Sequence, residues 1–163
     1  MKKFGAILLT FMMVISLITI PASAEGETIT FDALEDATDY FYDHGGVAKE
    51  SLYDNLMLRP NGEWTSYDVS DLAKGTYSLS ITYVATNLKS TDCVGLLEWF
   101  IDDELVLKTK HSYVTGGWNT TPVASGTLGN IYIGENADLL KMRNSATQNI
   151  MVDTITLTFD AIV

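Results

Sequence analysis

The residues in this 163-residue chain best suited to touching a ligand follow a double glycine, in Gly116-Gly117-Trp118-Asn119-Thr120-Thr121. An indole displayed on a loop offers a flat apolar face. Amide and hydroxyl groups beside it can bond the polar rim of whatever stacks there. The competing use of such a tryptophan is to cap one end of a core. Tyr40, Tyr42 and Tyr53 could supply a second aromatic platform, or could simply pack.

Other chemistry is thinner. Glu35, Asp36 and Asp153, with Asp32 in reserve, could hold a structural calcium ion, because a hard cation needs several oxygen ligands. That requires the first and last strands to lie side by side. With 21 acidic residues in the chain, chance proximity explains the same pattern. No nucleophile motif is present, and His44 and His111 lack metal-ligand spacing. Asp102-Asp103-Glu104 is a candidate carboxylate pair for glycoside hydrolysis, which needs a separation of about 5–10 Å. Adjacent turn residues point into solvent instead, so no catalysis is expected. The lone Cys93 cannot form an internal disulfide and reads as a small buried hydrophobe.

The elements that must position these groups are strands. Residues 76–85 alternate: Tyr77, Leu79, Ile81, Tyr83 and Ala85 face one way, Thr76, Ser78, Ser80 and Thr82 the other. Gly75 precedes them at a point expected to need a positive φ. Residues 150–159 repeat the pattern, with Asp153, Ile155, Leu157 and Phe159 on one face and Thr154, Thr156 and Thr158 on the other. Further strands are expected over 28–34, 52–58, 62–69, 94–101, 104–109, 123–128, 131–133 and 139–142, with a turn at Asp102-Asp103. The run 94–101 is apolar on both faces except at Glu98 and should lie inside a sandwich. Residues 35–43 read as a helical turn or ordered loop, and 113–121 as a loop. Trp64 and Trp99, being within strands, are expected in the core. No 3.6-residue periodicity interrupts the series, so the fold class is all-β, a jelly-roll sandwich of two antiparallel sheets.

Residues 1–24 form an expected signal peptide: Lys2 and Lys3, an apolar run from Ala6 to Ile20, then Pro21-Ala-Ser-Ala24. The run is shorter than the roughly 20 residues of a bilayer span. Residues 25–163 are then one secreted domain, exported from a bacterial cell and free of the membrane after cleavage. Without the two leader lysines it carries eight basic and 21 acidic residues, a net charge of −13. Such a surface argues against nucleic acid and anionic membranes as partners.

The order of the motifs resembles the galactose-binding-like β-sandwich of carbohydrate-binding modules of families 6 and 35. Gly62-Glu-Trp-Thr-Ser-Tyr-Asp-Val69 is similar to their G-D-W-x-x-Y-x-V strand, and Ala73-Lys-Gly-Thr-Tyr-Ser-Leu79 to the turn and strand that follow. Thr115-Gly-Gly-Trp-Asn-Thr120 resembles the t-G-x-W segment, Val152-Asp-Thr-Ile155 the closing I-D-x-I, and Leu34-Glu-Asp-Ala37 the opening E-A-E. The resemblance implies noncatalytic binding of a polysaccharide or glycan, beside a separate glycan-active enzyme. The ligand residues expected are Trp118, Asn119, Tyr53, Tyr42 and Asn149; for a structural calcium the resemblance supports Glu35 and Asp153, with Asp32 a spare. In that family an aromatic residue precedes the G-D-W strand and an Asn lies two residues before the closing Asp. Here Leu56, Met57 and Leu58 occupy the first place and Met151 the second, with Asn149 the nearest amide. Two other readings share the sandwich: an extracellular structural or interaction domain without a sugar site, and a small glycan-active enzyme.

Overall fold

The computed structural model describes residues 25–42, 49–50, 55–60, 62–85, 95–111, 115, 117 and 120–161. Among them every regular element is a strand: β1 (Thr28–Asp32), β2 (Asp39–Phe41), β3 (Lys49–Glu50), β4 (Asn55–Leu58), β5 (Trp64–Asp68) and β6 (Gly75–Val84). The second half adds β7 (Gly95–Ile101), β8 (Glu104–His111), β9 (Val123–Ala124), β10 (Gly129–Ile133), β11 (Leu139–Asn144) and β12 (Ile150–Ala161). The expected leader and Cys93 lie outside the described residues.

All pairings are antiparallel, in one seven-stranded and one five-stranded sheet, which bears out the all-β sandwich. The first sheet is built on β6 and β12, the two long alternating segments, paired from Met151↔Val84 to Ala161↔Thr76. The far edge of β12 is shared by β4 and β1, that of β6 by β10 and β9, and β3 borders β4. The second sheet runs β2-β5-β11-β7-β8.

The core lies between the sheets. Tyr77, Leu79, Ile81, Ile155 and Leu157 meet Tyr67, Leu97, Trp99, Leu140 and Met142, all essentially without solvent contact. Burying each such aliphatic side chain stabilises the fold by about 1.5–3 kcal/mol. The buried polar atoms are paired: Tyr67 Oη donates to the Ala33 carbonyl at 2.7 Å, Tyr77 Oη to Ala73 O at 2.6 Å, and Trp99 Nε1 to Thr109 Oγ1 at 3.1 Å. An unpaired group there would cost more than its hydrogen bond returns.

Two expectations change at this level, and a third, at Gly75, holds. Asp153 does not share the inner face with Ile155. The register slips between Val152, opposite Tyr83, and Thr154, opposite Thr82, so Asp153 is the extra residue of a bulge. Its carboxylate instead accepts a bond from Thr82 Oγ1 at 2.8 Å. Burying that carboxylate unpaired would cost several kcal/mol, which the bulge avoids. Gly75 has the expected positive φ, 158°. Space excludes a side chain there as well, since a Cβ would stand 2.4 Å from Phe159 Cε2. The stretch 35–43 contains a short edge strand, β2, whose three residues pair with β5.

The β7–β8 hairpin turns on Asp102 and Asp103 as expected, with φ 47° and 70°, the geometry of a two-residue primed turn. The Asp102 carboxylate then accepts from the backbone N–H groups of Asp138 and Leu139 at 3.0 and 2.9 Å, tying the turn to the start of β11.

Candidate functional site

Registers across the five-stranded sheet set which side chains stand together on its outer face. Phe41 is opposite Trp64, Trp64 opposite Arg143, Arg143 opposite Glu98, and Glu98 opposite Lys108. One row therefore crosses all five strands. The next row is Asp39, Ser66, Lys141, Phe100 and Leu105. At roughly 4.8 Å per strand each row is about 19 Å long.

Trp64 is half-buried in this face, not in the core as its place in a strand suggested; Trp99 is the one fully buried. The phase of β5 explains the difference. Thr65 and Tyr67 point inward, so Trp64, Ser66 and Asp68 point out. Open depressions flank the indole on both sides. One, about 700 Å³, is lined by Phe41, Gly62, Trp64, Arg143, Ser145 and Ala146. The other, about 280 Å³, has Asp39, Ser66, Asp102, Asp103, Leu139 and Lys141 around the same indole. Gly62, at φ 85°, makes the turn that leaves the first depression open beside Trp64.

Charges on the face are matched. Arg143 reaches Glu98 Oε2 through Nε at 2.9 Å and Nη2 at 2.5 Å, and Lys108 Nζ meets Oε1 at 2.8 Å. Ser145 Oγ also donates to Oε2, at 2.5 Å. Hydrogen bonds from Lys108 and Ser145, followed by Arg143, hold the Glu98 carboxyl down at about 2 against the opposing effect of burial. The guanidinium of Arg143 lies over Phe100 at 4.7 Å, and Lys141 Nζ over Trp64 at 4.6 Å while also pairing with Asp103. Cations held this way act as rigid parts of the surface.

The sequence-predicted site residues divide. Trp118, Asn119 and Tyr53 lie outside the described residues. Tyr42 packs against Met57, Val84 and Met151, and its ring leans on Tyr40 at 4.8 Å. Burial, then Glu63 and Tyr40, push its hydroxyl up to about 12. Asn149 Nδ2 faces Met57 Sδ at 3.9 Å, so Tyr42 and Asn149 border one apolar cluster. Met151 and Val84 are fully buried within it.

The first and last strands do lie side by side, with Asp32 opposite Thr154. Yet Asp32 Oδ1 is taken by the Leu34 and Glu35 N–H groups at 2.9 Å, and Asp36 Oδ2 by the Asp32 N–H at 2.7 Å. Asp153 is held by Thr82. Among the described residues no three His, Cys, Asp or Glu side chains are placed to hold a metal ion. Calcium takes about six to eight oxygens, so at Asp32, Glu35 and Asp153 backbone carbonyls and water would have to supply the others.

No family model matches the sequence, and no curated protein does. Solved structures do share its fold. The CBM36-1 domain of a multidomain xylanase from the hindgut metagenome of Trinervitermes trinervoides aligns with TM-score 0.58 and 11% identity, over 83% of this chain and 100% of that one. The C-terminal CBM6 of LamC, a marine laminarinase from Zobellia galactanivorans, aligns at 0.53 and 15%, over 81% and 99%. The CBM35 from Paenibacillus barcinonensis aligns at 0.51 and 16%, over 80% and 98%. The chain thus has the sandwich fold of carbohydrate-binding modules of the family 6 and 35 type.

Proposed function

We propose that this chain, folded as family 6 and 35 carbohydrate-binding modules are, is itself a noncatalytic module that holds a polysaccharide on the Trp64 face. The observation that carries this reading is the half-buried indole of Trp64 between two open depressions, inside a row that crosses five strands. A pyranose presents an apolar C–H face that stacks on an indole. Ser145 and the Arg143 guanidinium supply hydroxyl and N–H groups around it for the ring's hydroxyls. Because a depression opens on each side of Trp64, the face suits the interior of a chain, with successive sugars on either side of the stacked one. An open surface desolvates little of its ligand, so affinity per module is weak. The N-terminal leader motif supports secretion, where such a module would work beside a separate glycan-active enzyme.

The second reading, an interaction domain with no sugar site, draws on one observation. Met151 stands where the resembling modules have a sugar-bonding amide, and it is completely buried. Retention on a panel of insoluble polysaccharides separates the two. The proposal requires retention of the wild-type chain by at least one of them and its loss in Trp64→Ala. An absence of retention on every polysaccharide would favour the interaction domain.

A further inference from the structure

We propose that Glu98 determines the class of chain this face accepts, reserving it for uncharged polysaccharides by pairing with both of the cations that a ligand would meet in its row. The inference rests on the reading of the Trp64 face as a carbohydrate site. Three cations, Arg143, Lys108 and Lys141, stand in the two rows. Left unpaired, they would attract a uronate or sulfate, because a guanidinium beside an aromatic platform is suited to planar anions.

The face cancels that attraction from below. The Glu98 side chain is 7% exposed, while its partners Arg143 and Lys108 are 40% and 55% exposed. A ligand therefore meets the cations and not the anion, yet each cation is already compensated at hydrogen-bond distance. Lys141 is paired from the other side, its own side chain mostly covered and that of its partner Asp103 exposed. Counting Asp39 in the second row, three carboxylates face three cations, and no positive excess remains. The Glu98 carboxyl stays ionised throughout the range in which a secreted protein works, so the cancellation is permanent. Glu98 also fixes where Arg143 lies, with its guanidinium carbon 4.7 Å from the centre of the Phe100 ring, so that the guanidinium extends the platform already paired.

The test measures the affinity of the whole chain for neutral xylo-, manno-, cello- and laminari-hexasaccharides and for hexagalacturonate, in wild type, Glu98→Gln and Glu98→Gln/Arg143→Met. The wild type should bind at least one neutral probe and hexagalacturonate about tenfold more weakly. Glu98→Gln should raise hexagalacturonate affinity roughly fivefold, in a manner abolished by high salt. The double variant, which removes the freed guanidinium but leaves Lys108 unpaired by Glu98, should return part of the way to the wild-type ratio. Wild-type preference for hexagalacturonate, or an unchanged ratio in Glu98→Gln, overturns the proposal. Failure of the wild type to bind any probe instead removes the reading on which it rests. If Glu98→Gln loses its cooperative melt, Asp103→Asn at an exposed position frees Lys141. It should shift the ratio in the same direction, and an unshifted ratio overturns the proposal.

Discussion

The ammonium of Lys141 lies 4.6 Å from the centre of the Trp64 ring, from the neighbouring strand and one pleat along. Its second partner, Asp103, sits in the tight turn that ends β7. The indole is thereby held by a chain of contacts running to a hairpin. Replacing Lys141 by Met should cost about 1 kcal/mol of stability, the scale of a partly buried cation–π contact. It should also weaken polysaccharide binding by loosening the ring. Chemical denaturation beside a binding isotherm checks both effects, and an unchanged isotherm would show that the ring needs no such support.

Tyr67 pins the segment after β1 to the five-stranded sheet through one buried bond, from Oη to the Ala33 carbonyl at 2.7 Å. Tyr67→Phe leaves that carbonyl without its partner and should destabilise by about 1–3 kcal/mol. The urea midpoint should fall with an unchanged slope, and sugar binding should persist because Tyr67 faces the core. A midpoint equal to wild type would mean that the carbonyl finds another donor.

Asn144 shapes the wall of the larger depression. Its Nδ2 donates to Leu58 O and Gln148 O, and its Oδ1 accepts from the Ala146 N–H, each at 2.9 Å. Asn144→Ala breaks all three bonds at a fully buried position and should cost at least about 2 kcal/mol. Ser145 and Ala146 line the depression, so binding should fall as well as stability. Loss of stability alone would place the ligand elsewhere.

Stability should follow the ionisation of Glu98. Its folded carboxyl is depressed from 4.5 to about 2, so its contribution is complete above pH 4.5 and is lost as pH falls towards 2. The difference in unfolding free energy between wild type and Glu98→Gln should be constant from neutral pH to about pH 5 and shrink below it. Melts across that range read the effect directly. A difference that grows on acidification would contradict the ion-paired arrangement.

Much of this architecture is legible in the sequence because strand periodicity is strict wherever one face is buried. Tyr77, Leu79 and Ile81 against Ser78, Ser80 and Thr82 located β6 to within a residue. The alternation puts Asp153 on the wrong face because a bulge adds a residue without leaving a trace in it, and only the partner strand reveals the slip. The acidic stretch hid β2 because an edge strand pairs on one side and needs no apolar run. Its place in a strand alone points Trp64 to the core. The signal that corrects it was present: Tyr67 and Val69 are inward, which puts Thr65 in and Trp64 out. Glu98, the one charge in an apolar run, marked the same outer face. The pairing of Glu98 with Arg143 and Lys108 could not be read, because it depends on registers between three strands that the sequence does not state.

The most direct measurement is the affinity of the chain for its best polysaccharide, by titration calorimetry, in wild type and Trp64→Ala, each shown to melt cooperatively. The account predicts a loss of about tenfold or more in Trp64→Ala, since the stacked sugar loses its platform. Unchanged affinity in a folded Trp64→Ala would contradict it and return the binding site to the loop that carries Trp118.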